Sequence, residues 1–549
     1  MASFREVNHT FADLFRIRKV KCDEGKPHCK RCTSTGRICD GYDPTFRPPQ
    51  STTPSPPAKT RNSPQSRTGR ILVRSQSPAY LAPALRFDTR EERESFDFFT
   101  SHAVSSLRGF LDSPFWQREV LQAAHQNTAI QHCVIALGAM HRRFYEGKGS
   151  HLTEGDMSDN YLQFALRQSN QAIQDLVRKQ APNDAIGRTD KVTLMTCSIM
   201  FSSMCCLQGY QKDGLQHLRS GIRMLNETDE DDRFEDHPVD VESLRTIFVG
   251  LDMQARSIMP SYEAPTWVAR PKTKELSLSS SSPLNMESLL AILRYMESMS
   301  NHIFLFLQKS FLRPVEETDS VYTEYTDLIM RYHQGTVVLE ALWAKAPAFG
   351  DEFIQPLTAL ELLLCEQEYL IRCPRPDMDA KFSFFREYTQ AKHPFKESFD
   401  VAEQFVRLFE LATKLLPVSS SSRPVFTTTV GPISALWLVA FRAPSSCQAL
   451  RKRAVKLMLS HPRREGFWDG MVAGQICQEA LKLEQESTRA ELGLLPNDAT
   501  EDLIVPDNLR IIAIHITYPE DNDRRARIGF SDVRDVAIGL PSAVRWISW

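Results

Sequence analysis

The chain has 549 residues, 42% of them apolar and 24% charged, with a formal net charge of −2. The length exceeds one ordinary domain and suffices for a large core, and the near-neutral average excludes a chain that is basic throughout. No stretch approaches the ~20 uninterrupted apolar residues of a membrane span, so no membrane partner is expected.

The average hides an asymmetry. Residues 16–90 hold 16 Lys/Arg against 5 Asp/Glu, a net of +11, so the rest of the chain sums to −13. A basic head on an acidic body suggests a nucleic-acid-binding tip on a separate globular domain. The start, "MASFREVNHTFADLF", lacks a basic region followed by an apolar run, and no secretory signal is expected. Twelve cysteines in such a chain point to a reducing compartment, where clustered thiols more often hold metal than form disulfides.

In chain order, residues 1–15 are an atypical N-terminus and residues 16–43 a cysteine-rich head. Cys22, Cys29, Cys32 and Cys39 stand in the spacing C-x6-C-x2-C-x6-C. A C-x2-C pair can put two thiolates on one zinc, at about 2.3 Å each, because the chain turns back over two residues. Pro27 and Gly36 break up the intervening loops. Lysines and arginines crowd the cluster, which favours metal-bound thiolate. A head this short has no core of its own, so Zn2+ would supply its folding energy. The four cysteines are therefore read as Zn2+ ligands.

Residues 44–90 are rich in Pro, Ser and Thr and nearly free of large apolar residues. They cannot offset their chain entropy and are predicted to form a disordered basic linker. Its prolines forbid a long helix, so no coiled coil follows the head. Arg61, Arg67, Arg70 and Arg74 would add non-specific attraction to nucleic acid.

Residues 91–549 are predicted to be mostly α. "TAIQHCVIALGAMHRRF" (128–144) is dense in helix formers. "VTLMTCSIMFSSMCCLQGY" and "KDGLQHLRSGIRMLNE" read as an antiparallel helix pair with glycine near the turn. "VAEQFVRLFELATKLL" (401–416) puts Val401, Phe405, Leu408, Ala412 and Leu415 on one helix face. The serine runs Ser279–Ser282 and Ser419–Ser422 and the acidic stretch 226–242 read as surface loops. "LRIIAIHITY" (509–518) and "RARIGF" (525–530) suggest a short C-terminal β-hairpin.

"RIRKVKCDEGKPHCKRCTSTGRICDGYDP" resembles the DNA-binding domain of the fungal zinc binuclear-cluster transcription factors. In that family six cysteines hold two zincs, two thiolates bridging both metals. Cys22, Cys29, Cys32 and Cys39 match the third to sixth of them, and Pro27 matches the loop proline. The first two should fall at 12 and 15, where this chain has Ala12 and Phe15. Four cysteines cannot hold two zincs in the family's geometry. One zinc on four thiolates is stoichiometrically allowed, with the head folded differently. The agreement begins abruptly at Arg16, which favours a wrong first exon or retained intron over 1–15. The alternative is a chain that has lost half its cluster, a DNA-binding-defective regulator acting through its body.

The resemblance implies double-stranded DNA as partner. "RIRKVK" would be a short helix in the major groove. Arg18 and Lys19 match the base-contacting positions, implying CGG-like triplets, where Lys or Arg donates to guanine O6 and N7. Arg16, Lys21, Lys26, Lys30 and Arg31 fall to phosphate contacts, which fix position and make binding salt-dependent. "RIRKVK" could serve nuclear import as well, and the nucleus is the expected compartment.

From about residue 91 the text is similar to the fungal-specific regulatory domain found behind such clusters. "SFDFFTSHAVSSLRGFLDSPFW", "VLQAAHQNTAIQHCVIALGAMHRRF" and "GLQHLRSGIRML" carry that similarity. It implies an all-helical domain that regulates the head by binding a small-molecule effector or a partner, such as transcription machinery or co-regulators. Without a coiled coil, a homodimer would have to form through this domain. The sequence lacks G-x-S-x-G, H-E-x-x-H, Walker and G-x-G-x-x-G motifs, and no enzymatic activity is expected. His132 and His141 lie in helical text beside apolar residues and read as packed or surface histidines rather than ligands, and Cys205 and Cys206, in an apolar run, read as buried thiols.

Overall fold

The computed structural model describes residues 85–147, 159–178, 188–228, 237–259, 267, 271, 278–312, 318–372, 399–417, 423–494, 503–517, 524–538, 541 and 543–548. The chain divides into two units, residues 1–83 and 84–549. The described residues all belong to the second, called here the body.

The body opens on a cap. Thr89 Oγ1 accepts the Glu92 amide at 3.2 Å, and the Glu92 carboxylate accepts the amides of Asp88 and Thr89. This reciprocal box starts α1 (Arg90–Phe98) where the apolar text begins. Glu92 is buried, and Gln168 Nε2 donates to it at 2.8 Å. His132 Nδ1 lies 2.6 Å from the other end of the same amide, Gln168 Oε1. One cap thus fastens α1 to α3 (Thr128–Tyr145) and α4 (Asn160–Arg178), beyond the short α2 (Val120–Gln126). Within α3, Gly138 lets the backbone of α1 approach: a Cβ there would stand 2.2 Å from the Ser95 carbonyl oxygen.

α5 (Arg188–Gln208) and α6 (Gln211–Asn226) form the expected antiparallel pair. Gly209 makes the turn at φ 81°, where other residues are strained. Ser198 and Ser202 in α5 donate to the His217 and Gly214 carbonyls of α6 in reverse order, which fixes the direction.

α7 (Val241–Ile258), α8 (Met286–Leu312), α9 (Thr318–Lys345) and α10 (Ile354–Arg372) enclose one apolar core around Leu289, Ile292, Met296, Leu339 and Leu357. A second core joins α10 to α11 (Val401–Leu415), α12 (Pro432–Arg442), α13 (Gln448–Ser460) and α14 (Gly470–Glu491).

Strand structure goes beyond a terminal hairpin. β1 (Val425–Thr427) pairs parallel with β2 (Arg463–Glu465), which turns back antiparallel to β3 (Trp468–Asp469). The C-terminal sheet runs β4 (Ala513–Thr517), β5 (Arg525–Ser531), β6 (Ala543–Ser548), all antiparallel, with the short α15 (Val533–Ile538) before β6. The expected hairpin is therefore two strands of a three-stranded sheet. Ser279–Ser281 lie exposed in a turn. Ser419–Ser422 and residues 229–236 of the acidic stretch fall outside the described residues.

Candidate nucleic-acid head and the buried seam of the body

Every residue assigned from sequence to zinc or DNA lies outside the described residues: Cys22, Cys29, Cys32, Cys39, Arg16, Arg18, Lys19, Lys21, Lys26, Lys30 and Arg31. So does the linker, 44–84 of it. Among the described residues no three His, Cys, Asp or Glu side chains group as a metal site. No helix of the described residues is long and apolar enough to cross a membrane.

Within the body, the polar chemistry gathers where the two cores meet. β1 and the loop after it are held from the N-terminal helices. Ser106 Oγ donates to the Phe426 carbonyl at 2.6 Å, and Trp116 Nε1 donates to Thr428 Oγ1 at 3.0 Å. From α7, Gln254 Nε2 donates to the Thr428 carbonyl at 2.8 Å, while its Oε1 accepts the Phe467 amide at 3.1 Å. Arg464 of β2 donates to both Asp469 and the Leu207 carbonyl at the end of α5. Buried backbone groups need such partners, and here they come from distant parts of the chain.

Glu465 of β2 is fully buried at the start of α12. Its Oε2 accepts the Gly431 and Ile433 amides at 2.8 and 3.2 Å, and its Oε1 faces Arg463 Nε at 2.5 Å. Helix-end amides and a guanidinium are what a buried carboxylate requires. Burial still lifts its pKa, against the pull of Arg463 and the two amides.

Two further carboxyls line an enclosed cavity between Phe110–Leu111, α8, α10 and the 429–431 loop: Glu297 and Glu366. Both are buried, and burial pushes each pKa up to about 8. Ser434 Oγ lies 2.7 Å from Glu366 Oε1 and opposes its shift, as Arg294 opposes that of Glu297. The cavity is about 20 Å³, room for one water, whereas metabolite pockets run to roughly 300–1,000 Å³. It is a packing seam and takes no metabolite. Sequence reading passed over both glutamates because each sits in strongly apolar helical text.

Of the four His and Cys side chains singled out from sequence, His132 is half-buried against Gln168 Oε1, His141 and Cys206 are buried, and Cys205 is partly buried. His141 is buried between Phe98 and Phe426, ring centroids 6.0 and 6.2 Å away, and burial pushes its pKa down to about 4. Burial raises the Cys205 thiol well above its ordinary value and that of Cys206 to about 12. Neither is poised as a nucleophile.

Residues 16–49 match the Fungal Zn(2)-Cys(6) binuclear cluster domain, and residues 94–309 match the Fungal specific transcription factor domain. The two matched segments are the head and the regulatory domain of the fungal zinc binuclear-cluster transcription factors. The head match begins at Arg16, the residue where agreement begins in the sequence. The chain is 32% identical over 250 residues to the aspercryptin biosynthesis cluster-specific transcription regulator atnN of Emericella nidulans, covering 44% of this chain and 39% of that protein. It is 26% identical over 215 residues to the transcription regulator lscL of Purpureocillium lilacinum, covering 39% of this chain and 48% of that one. The chain thus spans less than half the length of these curated relatives. No solved structure matches.

The regulatory-domain match ends within α8. The structure carries on: the bonds from Ser106, Trp116, Leu207 and Gln254 weld that region to β1–β3 and hence to the C-terminal helices.

Proposed function

We propose that this chain is a nuclear, zinc-dependent transcription regulator that reads CGG-like triplets at RNA polymerase II genes. The observation that carries the proposal is the pair of family matches, a zinc-cluster head followed by a fungal regulatory domain, in one chain. Both curated relatives are named as transcription regulators. The activity is regulatory and not enzymatic.

Cys22, Cys29, Cys32 and Cys39 would hold the metal. When bound, zinc supplies the cross-link that a head without a core needs in order to fold. Four thiolates suit one tetrahedral ion; with Ala12 and Phe15 in place of two cysteines, the donor set does not fit the family's two-zinc cluster. Arg18 and Lys19 would face bases, and Arg16, Lys21, Lys26, Lys30 and Arg31 phosphates. The body, residues 91–549, would act on co-regulators or the transcription machinery, and would be the surface for any homodimer.

Metal content tests the head. Purified full chain dialysed against metal-free buffer should retain about one zinc per chain, released when the four cysteines are changed to serine. Two zincs per chain would contradict the four-thiolate reading. A chain with no zinc would favour the second reading, which Ala12 and Phe15 themselves motivate: a regulator that no longer binds DNA and works through its body.

A further inference from the structure

Three carboxyls enter the interior around one short segment, residues 428–434. Glu297 comes from α8, Glu366 from α10 and Glu465 from β2, and they are 3, 7 and 0% exposed. Among the described residues a single guanidinium, that of Arg463, forms an ion pair with any of them, and its partner is Glu465. The Gly431 and Ile433 amides complete that pair. Glu366 has the Ser434 hydroxyl. Glu297 makes no hydrogen bond and no ion pair among the described residues, although it lines the cavity it shares with Glu366.

The surroundings are short of donors as well as of cations. Asn301 stands one turn on from Glu297, and both meet α7: a Cβ on Gly250 would stand 2.8 Å from Glu297 Oε1, and Asn301 Nδ2 donates to the Val249 carbonyl at 3.1 Å. Asn301 Oδ1 is buried without a donor. So is Oε1 of Gln367, whose Nε2 ties α10 to the Met296 carbonyl and Ser300 Oγ of α8. An ionised carboxylate here would add a charge and two more acceptors to a place that cannot answer them. A proton removes the charge and supplies a donor, and the cavity has room for one water to pass that bond on.

No neighbouring charge takes the proton's place. Arg294 attracts Glu297 from its own helix without pairing with it. On α7, Asp252 is held by Arg256 and Trp267 Nε1. On α9, Arg331 bonds Asp327, and on α11, Arg407 bonds Glu361. β2 brings Glu465, a like charge beside Glu366. The Cys365 thiol next to Glu366 stays neutral, pushed up to about 12 by burial. Phe110, Leu111 and residues 429–431 have no ionisable side chain.

We propose that this seam is a proton-operated latch: with Glu297 and Glu366 protonated it holds the 428–434 segment against α8 and α10, and their ionisation as pH rises releases that segment. Glu297 lies within the matched residues 94–309 and Glu366 and the segment lie beyond them, so release loosens the regulatory domain from the C-terminal helices. The signal is pH itself, and the latch works whatever the head does with DNA.

The test is hydrogen–deuterium exchange of the full chain, read by mass spectrometry on residues 428–436 and, for comparison, 131–140 of α3. Each rate is divided by the intrinsic exchange rate at that pH. The closed seam holds protons that the open one releases, so protection at Gly431 and Ile433 should fall at least about tenfold from pH 6 to pH 8. At pH 8 these two amides should also be at least about tenfold less protected than the buried amides of α3, because they exchange through opening of the seam alone. Glu297→Gln combined with Glu366→Gln keeps shape, removes both titrations and should abolish the fall; the wild-type comparison stands without the variant. Constant wild-type protection at Gly431 and Ile433, protection equal to that of α3 at pH 8, or a fall that persists in the double variant would overturn the proposal.

Discussion

Burial holds Glu297 and Glu366 protonated well above the pH at which an exposed glutamate ionises. Their ordinary value is 4.5 and the folded value about 8. The folded state therefore binds more protons than the unfolded chain between those values, and stability must fall as pH rises through that window. The contribution is complete below about pH 4.5 and gone above about pH 8. Glu297→Gln removes one titration while keeping shape. Denaturant titrations should show a flatter stability profile from pH 5 to 8 and a gain on the order of 3 kcal/mol at pH 8.5. An unchanged profile would mean that Glu297 ionises normally. The buried pair Arg451–Glu484 gives the opposite sign of result. Its two bonds are 2.8 and 2.9 Å, Arg451 Nε also donates to the Ala440 carbonyl, and Glu484 accepts the Ile511 amide. Arg451→Met strands a buried carboxylate and should cost about 3–5 kcal/mol; Arg451→Met with Glu484→Leu should recover much of that loss. A cost below about 1 kcal/mol for the single variant would show that the carboxylate finds water.

At the scale of elements, close approach decides which substitutions the body accepts. Alanine is ordinarily favoured over glycine inside a helix by about 1 kcal/mol. At Gly138 that gain reverses, because the new methyl would meet the backbone carbonyl of Ser95 in α1. Gly138→Ala should lose about 2–3 kcal/mol by thermal or denaturant unfolding, through overpacking. A stabilised variant would mean that α1 and α3 slide apart freely. The same scale explains what could be read in advance. α3, the α5–α6 pair and α11 were legible because apolar residues recur at helical spacing and glycine marks the turn. α11 departs only at Val401, 36% exposed just after the Asp400 cap, where the helix has not yet reached its neighbours. β1–β3 were not legible. β2 reads Arg-Arg-Glu, a sequence that announces surface, yet all three residues are buried. Their charges are answered by Asp469, the Gly431 amide and the Leu207 carbonyl, partners that only the fold brings together. β6 escaped because its Trp546 is 56% exposed and its alternation has no clear apolar face.

Across the whole molecule, a strongly basic N-terminal region is joined to an acidic body, and the two ask for different experiments. The body's stability should respond to the buried carboxyls and ion pairs above and not to zinc chelation. The head's affinity for DNA should be steeply salt-dependent, with log K falling by about 0.9 per phosphate contact for each log unit of salt. Lys30→Ala or Arg31→Ala should lower that slope by about 1 and weaken all sequences alike, whereas Arg18→Ala should cost about 1–3 kcal/mol and relax triplet preference. The head's family resemblance was legible because cysteine spacing is a local signal, and residues 16–49 match that domain; the metal and DNA contacts assigned to it lie outside the described residues. The seam was the least legible part, because much of its chemistry joins residues distant in sequence, such as Gln254 and Thr428 or Ser434 and Glu366. The most direct test is competition binding of the zinc-loaded full chain to a CGG-containing duplex and to a scrambled duplex of equal length, at physiological salt. The account predicts at least a tenfold preference, about 1.4 kcal/mol, for the CGG duplex, abolished by chelation of zinc. Equal, salt-labile binding to both duplexes, unchanged by chelation, would contradict it.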